Sequence, residues 1–261
     1  LVETHISWVL LTGEFAYKVK KPVDFGFLDF STLERRKRFC DAELTLNRRF
    51  AQSLYVDVVS IVMTANGVRI SSSGDAIEYA VRMRQFPTEM QLDRLVEAGG
   101  VSAAQLAEFG AALADVHAGL PTVDARSEFG TAAGVLKPVD ENFVQIRQSV
   151  FASLDTATID ALERFSLAEH ARLLGTFDAR RRAGFVRECH GDLHLSNMVR
   201  LDGRIQAFDC IEFSDALRWI DVLSDAAFLV MDCCVRARAD LGYAFLDRYL
   251  ERTGDYPGIA T

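Results

Sequence analysis

The sequence contains no Gly-x-Gly-x-x-Gly, no Gly-x-x-x-x-Gly-Lys-[Ser/Thr] and no Gly-x-Ser-x-Gly. The last absence sets aside a serine hydrolase built on a nucleophile elbow, and the second removes a P-loop nucleotide site from these residues. Long apolar runs are also missing. The longest late stretch, AAFLVMDCCV, is broken by Asp232 and falls far short of the roughly 20 residues a membrane-spanning helix needs, so no membrane partner is expected. No basic segment followed by an apolar run opens the chain, and no secretory signal is visible. The five cysteines, Cys40, Cys189, Cys210, Cys233 and Cys234, are odd in number and include an adjacent pair, which suits reduced thiols in a cytoplasmic protein. Basic residues are in deficit: 29 Lys and Arg against 37 Asp and Glu leave a formal charge of -8, which argues against a nucleic-acid partner.

What is present is ordinary globular material, 261 residues of which 49% are apolar and 25% charged, enough for one large core or two lobes sharing a cleft. SWVLLTGEFAYKVKKP reads as two strands around a turn at Thr12-Gly13-Glu14, closed by Pro22. Ser31 and Glu34 stand at capping-box spacing and predict a helix through Phe50. LYVDVVSIVM and VRI flank the hairpin signal Asn66-Gly67, and IEYAVRMRQ alternates before Pro87. Beyond Pro87 the period changes to that of helices. Leu106, Phe109, Leu113, Val116 and Leu120 mark one helix, and others are predicted over ENFVQIRQSVFASL, TIDALERFSLAEHARLLGTF and the segment from Trp219 to Tyr249. Strands first and helices second predict an α+β fold: a β-rich lobe over residues 1–85 and a helical lobe over residues 86–261.

The helical half is interrupted by the polar stretch HGDLHLSN, His190 to Asn197, followed by AFDCIEF. Between them, Asp202-Gly203 is a two-residue hairpin turn, and counting outward pairs Asn197 with Phe208 and leaves Asp209 at the open end. A regular ladder would put Asn197 and Asp209 on opposite faces, so their convergence requires an irregular end. Asp192, Asn197, Asp209 and Glu212 together offer hard oxygen ligands and one spare base, which suits Mg²⁺ with a phosphate chain. His190 and His194 are four apart as in a metal-binding helix, but Gly191 and the hairpin beyond make this stretch a loop. His117 reads as a core or capping histidine and His170 as a solvated one.

HGDLHLSN resembles the catalytic loop of the aminoglycoside phosphotransferase and choline kinase family, and is similar to the protein-kinase pattern His-Arg-Asp-Leu-x-x-x-Asn. FDCIEF resembles the metal-binding Asp segment of that superfamily. With ETHISWVLLTGEFAYKVKKPV, these motifs look most like the phosphotransferase-like domain of bacterial proteins that also carry a P-loop domain. The resemblance implies a protein-kinase-like two-lobed fold with ATP and Mg as cofactors. It implies Asp192 as catalytic base, His190 as a residue shaping the loop, and Asn197 and Asp209 as metal ligands. Glu212 would be an accessory ligand or a group behind the ligands, and Asp221 would anchor the loop.

AYK, Ala16 to Lys18, is like the kinase strand whose lysine reaches the phosphates and pairs with a helix glutamate. Glu43 shares a helix face with Phe39, Leu46 and Phe50, and a carboxylate in an apolar stripe needs a cation. Lys18 is the expected partner. Lys20, of the same strand parity, is the rival. Adenine is expected against the backbone of Arg82, Met83, Arg84 and Gln85, and Thr4–Ser7 is the candidate phosphate-covering loop. The expected function is ATP- and Mg-dependent transfer of a phosphoryl group to a hydroxyl of a small molecule. The alternatives are a protein hydroxyl as acceptor, or a nucleotide-binding regulatory domain without turnover. The missing initiator Met and the closing TGDYPGIAT suggest part of a longer protein with a C-terminal P-loop domain.

Overall fold

The computed structural model describes residues 1–26, 28–71, 73–148 and 156–260. Six antiparallel strands come first: β1 (Val2–Glu3), β2 (Ser7–Leu11), β3 (Phe15–Lys20), β4 (Tyr55–Thr64), β5 (Gly67–Ile70) and β6 (Ala76–Arg84), in the order β1-β2-β3-β6-β4-β5. The Thr12–Glu14 and Thr64–Gly67 turns join hairpins in the expected registers, with Leu11 opposite Ala16 and Thr64 opposite Gly67. Between β3 and β4 runs α1 (Leu33–Asn47), which packs across β4 and β6. Its N-cap is Thr32, whose hydroxyl accepts the Arg35 N–H, rather than the expected Ser31, whose hydroxyl is turned to Asp29. A capping oxygen must reach the N–H three residues on, and the chain enters the helix one residue later than the motif suggested.

Past Arg84 the chain becomes helical: α2 (Leu92–Glu97), α3 (Ala103–Gly119), α4 (Ala132–Gln148) and α5 (Thr156–Arg182). Helix α3 starts at Ser102 in a complete capping box with Gln105, and its Leu106, Phe109 and Leu113 are buried. Helix α4 begins nine residues before the expected segment and runs through Pro138; 149–154 of that segment lie outside the described residues. His170 is not solvated: it is half-buried, bonds the Ala132 carbonyl at 2.7 Å and stacks on Phe177.

Three short strands follow, β7 (Val186–Glu188), β8 (Met198–Leu201) and β9 (Arg204–Ala207), then α6 (Asp215–Arg218), β10 (Trp219–Asp221), α7 (Val222–Val235) and α8 (Ala239–Thr253). Trp219–Asp221 is therefore a strand paired with β7, where a helix was expected. The main core lies among α2, α3, α7 and α8, where Leu106, Leu229, Leu241 and Phe245 are completely buried. Each such side chain contributes about 1.5–3 kcal/mol over exposure. At Gly110 an added Cβ would stand 2.4 Å from the Phe245 carbonyl oxygen, so the absent side chain allows α3 and α8 to approach closely. A second core joins Cys40, Leu54, Tyr55 and Val81 of the sheet side to Val199 of the β8–β9 hairpin, with Leu201 and Phe208 packed against it. That packing holds the hairpin under the sheet. Among the described residues no helix is long and apolar enough to cross a membrane.

Candidate functional site

Strand alternation turns Ala16, Lys18 and Lys20 to the same buried face of β3. From α1, Glu43 meets both lysines with one oxygen each, Oε1 at 2.9 Å from Lys18 Nζ and Oε2 at 2.7 Å from Lys20 Nζ. The rivalry between the lysines thus ends in a shared carboxylate. Each lysine also has a second partner: Lys18 touches Asp209, and Lys20 touches Glu212. Burial alone would lower both lysine pKa values, but the surrounding carboxylates outweigh it and hold both above the ordinary range. Burial likewise opposes ionisation of Asp209, yet Lys18 wins and holds its carboxyl below the usual value. For Glu212 burial prevails over Lys20, and its pKa is raised.

Of the two roles expected for Glu212, a ligand or a group behind the ligands, its placement fits the second. Its side chain is 3% exposed and committed to Lys20, which makes it a lysine partner behind the cleft. The Asp209 side chain, by contrast, is 42% exposed.

The β8–β9 ladder pairs Met198 with Ala207, and the Phe208 N–H donates to the Asn197 carbonyl at 2.8 Å, as the count outward from Asp202-Gly203 required. The irregular end is also there. Asp209 has φ +63°, a left-handed conformation uncommon for a residue with a side chain. Two donors hold the bend: Asp209 N–H to Tyr55 Oη at 3.1 Å and Cys210 N–H to Asn47 Oδ1 at 2.9 Å. Asn47 in turn donates to the Glu43 carbonyl, so α1 is tied both to the lysines and to the Asp209 segment.

In the His190–Asn197 loop, Asn197 Nδ2 donates to Asp192 Oδ2 at 2.9 Å and to the Asp192 carbonyl at 3.1 Å, which leaves Asn197 Oδ1 available to a cation. His194 Nε2 lies 3.4 Å from the same Asp192 oxygen, and that contact raises the His194 pKa. His190 Nε2 bonds the Phe208 carbonyl at 3.0 Å and must therefore carry the proton, leaving Nδ1 to accept the Asp192 N–H at 3.3 Å. Burial keeps this imidazole neutral by lowering its pKa. His190 thereby spans from Asp192 to the residue preceding Asp209.

Asp225, rather than the expected Asp221, anchors the loop. It accepts the His190 N–H at 3.1 Å and the Gly191 N–H at 2.9 Å, and His117 Nε2 at 3.2 Å completes its shell. His117 is the core histidine expected, and its Nδ1 meets Tyr249 Oη at 2.9 Å. Asp221 instead caps α7 and takes Arg180 in a two-pronged pair. A signal for Asp225 was available: it lies on the α7 face of Val222, Ala226, Leu229 and Cys233, a carboxylate in an apolar stripe like Glu43. Asp232 adds a second tether by accepting the Leu195 N–H at 2.9 Å.

The backbone donors expected to read adenine are taken. Arg82 and Met83 lie inside the ladder, Arg84 N–H donates to Leu54 and Gln85 N–H to Glu14, both at 2.9 Å. Strand β6 ends at Arg84, within a residue of the alternating run IEYAVRMRQ, and Gln85 and Phe86 follow it. Thr4–Ser7 forms the turn between β1 and β2, at the end of the sheet where Ser7 pairs with Lys20.

The family described as "Phosphotransferase enzyme family" matches residues 28–260 of this chain. An uncharacterized protein of Mycobacterium tuberculosis (strain H37Rv) and one of Mycobacterium bovis are each 32% identical over 256 residues, 97% of this chain and 49% of theirs. The chain thus spans about half the length of the curated relatives it matches. Because the family match takes in Glu43, the His190–Asn197 loop and the Asp209 hairpin, and reaches nearly to the end of the sequence, the chain belongs to the phosphotransferase enzyme family.

Proposed function

We propose that the chain transfers the γ-phosphoryl group of MgATP to a hydroxyl of a small molecule. Membership in the family supports phosphotransferase activity. The observation that carries the finer reading is a chain of contacts: Asn197 bonds Asp192, the Phe208 N–H next to Asp209 bonds the Asn197 carbonyl, and Asp209 touches Lys18, which Glu43 holds. Asn197 Oδ1 and the Asp209 carboxylate are hard oxygen donors of the kind Mg²⁺ takes, and they would hold it. When bound, Mg²⁺ neutralises charge on the β- and γ-phosphates.

The chain's own residues do the rest. Asp192 Oδ2 is occupied by Asn197 and His194, which leaves the other oxygen to accept the acceptor's hydroxyl proton as the new O–P bond forms and the bond to ADP breaks. Lys18, held by Glu43, exchanges its contact with Asp209 for phosphate oxygens. Lys20 and Glu212 keep Glu43 in place from behind. Adenine lies near Phe86, past the end of the ladder.

The test is labelled-ATP transfer measured with and without Mg²⁺ across a panel of hydroxylated small molecules. Acceptor-dependent transfer that disappears in Asp192→Ala is expected; MgATP binding with no transfer to any acceptor, equal in wild type and variant, would point to a regulatory domain instead.

A further inference from the structure

We infer that the acceptor is an uncharged, largely apolar alcohol, seated in a cavity of about 410 Å³ that abuts Gly191. This rests on the phosphoryl-transfer reading above and names the substrate class of that site. The volume falls in the range of small-molecule sites. Its position fits an acceptor: Gly191 precedes Asp192, and the wall residue Phe228 packs its ring 6.4 Å from that of His194, whose Nε2 reaches Asp192. A Cβ at Gly191 would come 2.6 Å from the Leu217 carbonyl oxygen, and φ +85° there further favours glycine, so no side chain stands on the wall at this point.

The lining decides the chemistry. Val135 and Pro138 of α4, Phe177 of α5, and Leu217, Trp219 and Phe228 from the opposite side make a wall that is mostly carbon. Among the described residues the single carboxylate in the lining is Asp221, and both of its oxygens are held by Arg180, at 2.6 and 2.8 Å. A compound bearing several ammonium groups would lose hydration there without finding counter-charge, which is costly, whereas an apolar body gains by leaving water. Ser224 adds one hydroxyl to the lining, enough to orient a neutral molecule. The acidity of the whole chain therefore does not carry over to this cavity.

Calorimetric titration of the intact chain with 2-naphthaleneethanol, with kanamycin and separately with MgATP tests the inference. The alcohol is expected to bind, kanamycin neither to bind nor to compete, and the alcohol's affinity to fall by about tenfold or more in Ala216→Trp, which fills the cavity from an exposed lining position. Phe228→Lys, at a wall residue 40% exposed, should weaken it similarly and serves if the first variant folds poorly. Kanamycin binding more tightly than the alcohol, no binding of the alcohol, or equal binding to wild type and both variants would overturn the assignment. Failure of MgATP to bind while the alcohol still binds would instead overturn the phosphoryl-transfer reading and leave the cavity's preference standing.

Discussion

Under β3, five charged side chains pair in series, Asp209 to Lys18 to Glu43 to Lys20 to Glu212, whereas at the start of the His190–Asn197 loop one carboxylate, Asp225, gathers two backbone N–H groups and one imidazole. The first cluster has alternatives. Its three inner members each have two partners, so Lys18 would keep Glu43 on turning from Asp209 to a phosphate, and Glu43 is met by Lys20 as well. The second has none, because these three groups converge on one residue. Buried charge costs least when fully paired, and losing a sole partner costs far more than losing one of two. The lysine side is therefore suited to change its contacts during a reaction, and the loop side to keep Asp192 still.

Four measurements would break or sharpen this contrast. The largest effect is expected at the residue the rigid side presents: Asp192→Ala should lower turnover by roughly 10²–10⁴ while leaving the MgATP dissociation constant near its original value, since a positioned base acts in the transition state. A parallel loss of nucleotide affinity would count against that role.

Next, Asp225→Ala should cost about 3–5 kcal/mol in denaturant unfolding, because two backbone donors and His117 lose their partner in the interior. Lys18→Met should cost about 1–2 kcal/mol, with Glu43 still met by Lys20, while abolishing most activity. Equal stability losses in the two variants would erase the distinction between the clusters.

A third measurement uses pH. His190 is neutral in the fold with its pKa lowered chiefly by burial, so its contribution is present above the ordinary imidazole value of about 6.5 and is lost as pH falls from there toward its folded pKa, at up to about 1.4 kcal/mol per unit. His194 has the opposite sign. Its pKa is raised by Asp192, so its contribution is present below that ordinary value and is lost as pH rises through its folded pKa. Stability against denaturant should thus peak near the ordinary value; His190→Gln should flatten the acid limb and His194→Gln the alkaline one. Unchanged limbs in both variants would show that neither histidine governs the profile.

The smallest effect separates two neighbouring hydroxyls. Thr32→Ala should cost about 1 kcal/mol through the lost α1 cap, and Ser31→Ala distinctly less. The reverse order would mean that the helix starts where the sequence motif placed it.

Those outcomes bear on what could be read without coordinates. Period and turn chemistry exposed the hairpins, α1 and α3, because Asn66-Gly67, Asp202-Gly203 and the Leu106–Leu120 stripe are local signals. The bend at Asp209 was demanded by strand parity, although nothing local named Tyr55 and Asn47 as the residues that hold it. What escaped was the choice among similar residues at long range. Asp221 and Asp225 both precede or open α7, and only packing shows that one turns to Arg180 and the other to the loop. Glu212 could be read as a ligand or as a group behind the ligands, and only Lys20, 192 residues away in sequence, decides for the second. The backbone at the end of β6 was judged free for the same reason, since the partners of the Arg84 and Gln85 N–H groups, Leu54 and Glu14, lie in other segments.

The contact between His117 and Tyr249 joins positions 132 residues apart, and Tyr249 belongs to α8. During synthesis, at about 5–20 residues per second, the His190–Asn197 loop would leave the ribosome several seconds before that tyrosine does. Until α8 arrives and docks on α3, His117 lacks one of its two partners, and the residue that orders the loop is itself incompletely placed. The nascent chain would thus hold its sheet and most of its helices while the loop bearing Asp192 remained loosely tethered, so that competence arrives late and nearly all at once.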